Sequence, residues 1–249
     1  MRESESNTKE LLPETFRWFD LLRNLDKLWS VCYSKTEVVS MKRTEWNGSE
    51  WKFPFVMYTP EKMEEKMPLI IQLHGGDERG AGGEELALMD VHGFSHLVKE
   101  RDYPCILVMP QCPKNSFWSG KVESVLAFIE QIKRAFPVDE DRVCLSGLSM
   151  GGFGTWYVAM ARPDIFAAIA PMCGGGMAWN AGVLNMPIWA FHGADDVIVD
   201  PFHSDNMVEK LRELGKNVIY TRMEGVGHRV YTLACNDELM QWLLRQKRA

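Results

Sequence analysis

The sequence predicts an α/β fold, a mostly parallel central sheet with helices on both faces, and three observations predict it. Apolar runs recur along the chain: "PLIIQLHGG", "CILVMPQCP", "RVCLSG", "FAAIAPMCGG", "MPIWAFHGADD" and "NVIYTRMEG". Continuous runs of this kind suit strands buried on both faces, which parallel sheets require. Helical stretches around 120–135, 151–161 and 203–214 fall between them, and that alternation means parallel strands joined by helical crossovers. The third observation is bulk. A chain of 249 residues, 46% hydrophobic and 25% charged, supports one sizeable core.

Taken in order, residues 11–29 place Leu11, Thr15, Trp18, Leu22, Leu25 and Trp29 at alternating steps of four and three. That spacing draws one stripe along an amphipathic helix, and Pro13 suits its first turn. Such a helix packs on the body, caps a site or makes a homodimer contact. "EVVSMKRTEW" and "WKFPFVMYTP" then flank Asn47 and Gly48, a pair that signals a hairpin. The six apolar strands follow, and the amphipathic "DELMQWLLRQKR" closes the chain. There is no low-complexity tract, linker or repeat. The expected organisation is an N-terminal extension over 1–45, with its helix, and a single α/β domain over 46–249.

Composition excludes several function classes. The formal net charge is −6, and no dense Lys/Arg cluster precedes the C-terminal "RQKR", which argues against nucleic-acid and anionic-membrane partners. The polar opening "MRESESNTKE" is unlike a secretory signal, and no run approaches the ~18 apolar residues of a membrane span. Cysteines 32, 105, 112, 144, 173 and 235 are scattered without a C-x-x-C pair, so free thiols are expected. These readings together describe a soluble, cytoplasmic protein.

The chemistry concentrates in "CLSGLSMGGFGTW", residues 144–156. An apolar strand ends here, a helix begins, and Ser149 stands on the turn within G-x-S-x-G, the pattern of a nucleophile elbow. Gly147 and Gly151 leave room where side chains would clash, and Gly152 eases packing of the helix. The helix N-terminus aims free N–H groups at developing negative charge. A serine hydroxyl needs a base to take its proton and an acid to orient that base. On this arrangement the chain order is Ser, then Asp or Glu, then His. Of the later histidines, His192 precedes any suitable acid and His203 opens a helix. His228, in the glycine-flanked "GVGHRV", is the expected base. "FHGADDVIVD" offers Asp195, Asp196 and Asp200, of which Asp200 is too distant; the choice between the first two stays open on spacing alone. An oxyanion hole would take the N–H of Met150, after the nucleophile, and that of Gly76 in "LHGGDERG".

Competing motifs fail. No G-K-[ST] follows the glycines, and "HGFSH" lacks the glutamate of H-E-x-x-H, so His92 and His96 read as ordinary helix residues. No metal or organic cofactor is expected.

The blocks "LHGGDERG", "MPQCP", "DRVCLSGLSMGGFGTW", "FAAIAPMCGGG", "FHGADDVIV" and "GHRVYT" resemble, in order over about residues 50–247, the α/β-hydrolases. Among these they are similar to the dienelactone-hydrolase/prolyl-oligopeptidase-like serine esterases, in the bacterial "predicted peptidase" or esterase branch. The resemblance implies the α/β-hydrolase fold with a minimal lid. It also implies a triad of Ser149, His228 and Asp196, because the acid is the fifth residue of the family's H-G-x-x-D-x-x-V block. Asp195 would then turn to solvent. Where relatives often carry Trp, this chain has Tyr231.

The implied activity is hydrolysis of carboxylic esters, with short-chain or aromatic acyl groups, such as those linked to carbohydrate, as small-molecule substrates. A peptidase acting on small peptides and a non-catalytic binding module are the alternatives. Only "GGGMAWNAGVLN" joins two core strands, too short for a lid domain. Gln111, Trp118 and Trp179 either edge an open site or simply pack loops.

Overall fold

The structure, a computed structural model, describes residues 40–248. The chain divides into Met1–Val38 and Val39–Ala249; the helix expected over 11–29, and Cys32 with it, lie outside the described residues. An eight-stranded sheet organises the described part: β1 Lys42–Trp46, β2 Phe55–Thr59, β3 Met67–Leu73, β4 Ile106–Pro110, β5 Val138–Leu148, β6 Ala168–Met172, β7 Ile188–Gly193 and β8 Val218–Met223. Its order is β1-β2-β4-β3-β5-β6-β7-β8. The first two pairings are antiparallel and the rest parallel. β1 starts at Lys42, inside the stretch that the sequence reading assigns to the extension.

Helices α1 Ser95–Glu100, α2 Val122–Ala135, α3 Met150–Ala161, α4 Phe202–Glu213, α5 Tyr231–Ala234 and α6 Asp237–Leu244 cover both faces. Strand alternation divides the core between those faces. Phe55 and Met57, Leu69 and Ile71, Ile106 and Val108 point to one side, against Val125, Phe128, Ile129 and Ile132 of α2. Val56 and Tyr58, Ile70, Leu107 and Met109 point to the other, against Leu239, Met240 and Leu243 of α6. Each such side chain, fully buried, contributes roughly 1.5–3 kcal/mol before entropy is counted. Among the described residues no helix is long and apolar enough to cross a membrane, and the five cysteines are free thiols.

The hairpin expectation is met. β1 and β2 pair antiparallel in the register Trp46 to Phe55, and Asn47 and Gly48 lie in the connection, where Gly48 O accepts from the Trp51 N–H at 3.2 Å. Asn47 Oδ1 accepts from the Gly83 N–H at 2.6 Å, tying the hairpin to the loop after β3. One local expectation is corrected: His92 is not helical; it stands in the bend before α1, and only His96 lies on that helix.

Candidate active site

The elbow is built by backbone contact. Ser149 sits between β5 and α3 with φ 54° and ψ −116°, a left-handed conformation that costs a non-glycine residue about 1–3 kcal/mol. Its neighbours must be glycine. A Cβ on Gly147 would meet Gly151 O at 2.2 Å, and one on Gly151 would meet Leu73 O at 2.0 Å. The Ser149 N–H donates to Met172 O at 2.9 Å, and Ser149 O accepts from Phe153 N. The strained turn is thereby pinned from both sides, with the hydroxyl at the carboxyl ends of β5 and β6.

Ser149 Oγ lies 2.8 Å from His228 Nε2, and His228 Nδ1 lies 2.8 Å from Asp196 Oδ2. The line is consistent with one tautomer, Nδ1–H donating to the carboxylate and Nε2 accepting the serine proton. Asp196 is 5% exposed. Burial pushes its carboxyl pKa up, but the Val199 N–H, His228 and the Ile198 N–H outweigh that and hold it below the ordinary range. Both N–H groups donate to Oδ1 at 2.9 Å. Asp195 is exposed, and Asp200 Oδ1 accepts from Phe202 N at the start of α4.

Three supports were not read from sequence. His192, set aside there as a base, lies with Nε2 3.3 Å from Asp196 Oδ2 and 2.9 Å from Val199 O. It therefore braces the acid's loop from beneath. Cys173, at φ 46°, donates its thiol to His228 O at 3.2 Å. Cys173, Asp196 and His228 offer donor atoms within 4.8 Å of one another, and hydrogen bonds within the group already engage each of these side chains.

The third support is His74, which is 3% exposed. Its Nε2 accepts from the Cys112 N–H at 2.8 Å, so Nδ1 carries the proton and donates to Gly75 O at 2.6 Å. Burial pushes the ring's pKa down to about 4, which preserves this tautomer. A trans peptide opposes its C=O and N–H, so the bond to Gly75 O turns the Gly76 N–H away from His74. Arg79 Nε fixes the next carbonyl, Gly76 O, at 2.8 Å. Among the described residues neither the Gly76 nor the Met150 N–H has a hydrogen-bond acceptor.

The expectation that Gln111 and Trp118 edge the site is corrected: both are 0% exposed. Gln111 spends its amide on the loop, Nε2 donating to Glu78 O and Glu85 O and Oε1 accepting from Gly82 N. Trp118 donates to His74 O at 3.0 Å and packs edge-on against Phe53 and His74. A buried polar group must find partners, and these two find theirs inside the fold. Trp179 is 79% exposed, on the 3₁₀ turn Ala178–Val183.

The chain is similar to several known proteins. A family model described as phospholipase/carboxylesterase matches residues 119–242, a span that holds Ser149, Asp196 and His228. A bifunctional acetylxylan esterase/xylanase of Neocallimastix patriciarum is 26% identical over 163 residues, 63% of this chain and 23% of that protein. A poly(3-hydroxyalkanoate) depolymerase C of Paucimonas lemoignei is 27% identical over 159 residues, 59% of this chain and 36% of that one. Among solved structures, a thermostable esterase is 30% identical with a TM-score of 0.68, covering 85% of this chain and 64% of the other. A feruloyl esterase module from Clostridium thermocellum, 15% identical with a TM-score of 0.62, covers 84% of this chain and 89% of the module; it shares the fold. The chain thus spans about a quarter to a third of the curated relatives it matches, and under two thirds of the thermostable esterase.

Proposed function

We propose that the chain is an α/β-hydrolase and, within that fold, a serine hydrolase of carboxylic esters. The observation that carries this reading is the hydrogen-bonded line from Asp196 through His228 to Ser149, with the serine lifted on a strained elbow. His228 Nε2 takes the Ser149 proton as Oγ attacks the ester carbonyl. Asp196 holds the ring and offsets the imidazolium that forms. The N–H groups of Gly76 and Met150 receive the tetrahedral oxyanion. His228 then returns its proton to the leaving alcohol, and water, deprotonated by the same ring, releases the acyl group.

The proposed substrates are short-chain or aromatic acyl esters, including carbohydrate-linked ones. Two things support that class. The connection between β6 and β7 holds only a short 3₁₀ turn, which gives little apolar wall for a long chain at ~0.8 kcal/mol per CH₂. Named relatives include an acetylxylan esterase. Trp179, exposed on that connection, is the proposed aromatic contact for the acyl or sugar ring. The test is fluorophosphonate labelling of Ser149, followed by kcat/KM for acetyl, butyryl, feruloyl and palmitoyl esters. Labelling at another serine defeats the mechanism, and a palmitoyl preference defeats the substrate class.

A further inference from the structure

Behind the strand end that carries Gly76 lies a second carboxylate–imidazole pair, which the proposed reaction does not use. Glu78 is 3% exposed. Its Oε1 meets Nδ1 of His92, while its Oε2 is buried with no hydrogen-bond partner. The ring of His74 is 3.8 Å from Oε2, but its Nδ1 proton is committed to Gly75 O. A Cβ built on Gly75 would lie 3.2 Å from Glu78 Oε2 and 3.8 Å from Ser149 Cβ. Carboxylate and nucleophile therefore flank one glycine.

That position carries an electrostatic consequence. Ester hydrolysis builds negative charge on the substrate oxygen beside Ser149. A buried carboxylate nearby opposes that charge through a medium far less screening than water. It is also costly in the resting protein unless a cation accompanies it. Arg79 makes no ion pair with Glu78; its Nε donates to Gly76 O and its Nη1 to Ser116 O. His74 is neutral in the tautomer its partners impose. The partner that touches Glu78 is His92, and paired as carboxylate and imidazolium the two carry no net charge. On the far side, the Tyr231 ring stands edge-on to His92 at 5.0 Å and to His228 at 6.4 Å, which keeps the two imidazoles apart.

We propose that Glu78 and His92 act as an ion pair that cancels a buried negative charge behind the oxyanion hole. They are positioning residues for the local field, distinct from the groups that touch substrate. The inference rests on the ester-hydrolase reading. It explains how a buried carboxylate is tolerated across Gly75 from the nucleophile and gives His92 a function that its sequence context did not suggest.

The test measures kcat and KM on acetyl and butyryl esters, per active site counted by fluorophosphonate labelling. His92→Asn keeps an N–H donor where Nδ1 stands and removes the charge; kcat should fall roughly tenfold while KM stays within about twofold. Adding Glu78→Gln to that variant removes the opposing charge as well, and kcat should return to within about threefold of the parent. A pair that merely props the loop gives the reverse: His92→Asn is harmless and the double variant is worse than either single one. That reverse pattern, or a loss confined to KM, overturns the proposal. Should His92→Asn fail to yield labelled sites, His92→Gln carries the same comparison. If the parent protein takes no fluorophosphonate at Ser149, the hydrolase reading falls and this inference with it. If it is labelled and the variants match it, this inference alone falls.

Discussion

The elbow around Ser149 and the loop after β3, the two proposed sources of the oxyanion-hole N–H groups, are held in different ways. The elbow is pinned by backbone against backbone: Gly147 against Gly151 O, Gly151 against Leu73 O, Ser149 N–H on Met172 O. Residues 74–83 have a backbone tie in Gly80 N–H on Cys112 O at 3.0 Å, but the rest of the loop depends on side chains. These come from distant parts of the chain, among them Gln111, Trp118 and Asn47. A contact between backbones tolerates one residue type and leaves a motif in sequence. A contact between a side chain and a loop tolerates many solutions and leaves none.

Variants at the proposed catalytic line test the elbow side and should have the largest effect. Ser149→Ala should lower kcat by about 10⁴-fold or more and abolish fluorophosphonate labelling; retained turnover would show that another residue carries the acyl group. Asp196→Asn should follow at about 10³–10⁴-fold, since it favours the wrong tautomer of His228. Asp195→Asn, exposed one residue earlier, should change kcat less than about threefold. Equal losses in the two would separate the acid from the His228 bond at 2.8 Å.

On the loop side the effect should appear first in stability. Gln111→Leu strands the Gly82 N–H and the Glu78 and Glu85 carbonyls. About 2–4 kcal/mol of unfolding free energy should be lost in a urea melt. KM should stay uniform across an ester panel; an acyl-selective rise in KM would mean that Gln111 touches substrate after all.

His74 gives a smaller, pH-dependent signal. Its folded pKa is near 4, below the ~6.5 of an unfolded histidine. Between those values the unfolded chain binds the proton and the folded one does not, so stability falls as pH drops from about 6.5 to 4. The full difference is roughly 3 kcal/mol. Asp196, whose folded pKa is depressed, adds to the loss only at lower pH, as its own folded pKa is passed. Thermal unfolding of the parent and His74→Gln at pH 7.5 and 5 should converge at the lower pH; a constant gap would mean that the His74 ring is not the group titrating.

Sequence by itself determined most of the strands and their mostly parallel pairing, and it pointed to the proposed catalytic line. Apolar runs such as "PLIIQLHGG" and "RVCLSG" can be buried only on both faces, and the glycines at 147 and 151 permit no other residue in the space left to them. The proposed order Ser149, Asp196, His228 places each residue after a successive strand, though choosing Asp196 over Asp195 needed resemblance to a family. Tertiary structure alone decided the rest. Gln111 and Trp118 read equally well as pocket or packing residues, because burial of a polar side chain depends on partners far away in sequence. His192 beneath Asp196, Cys173 under His228 and His92 on Glu78 meet only when separate strand ends converge. The bond from the Gly83 N–H to Asn47 Oδ1 is of the same kind: the hairpin signal of Asn47 and Gly48 is local, and that tie is not.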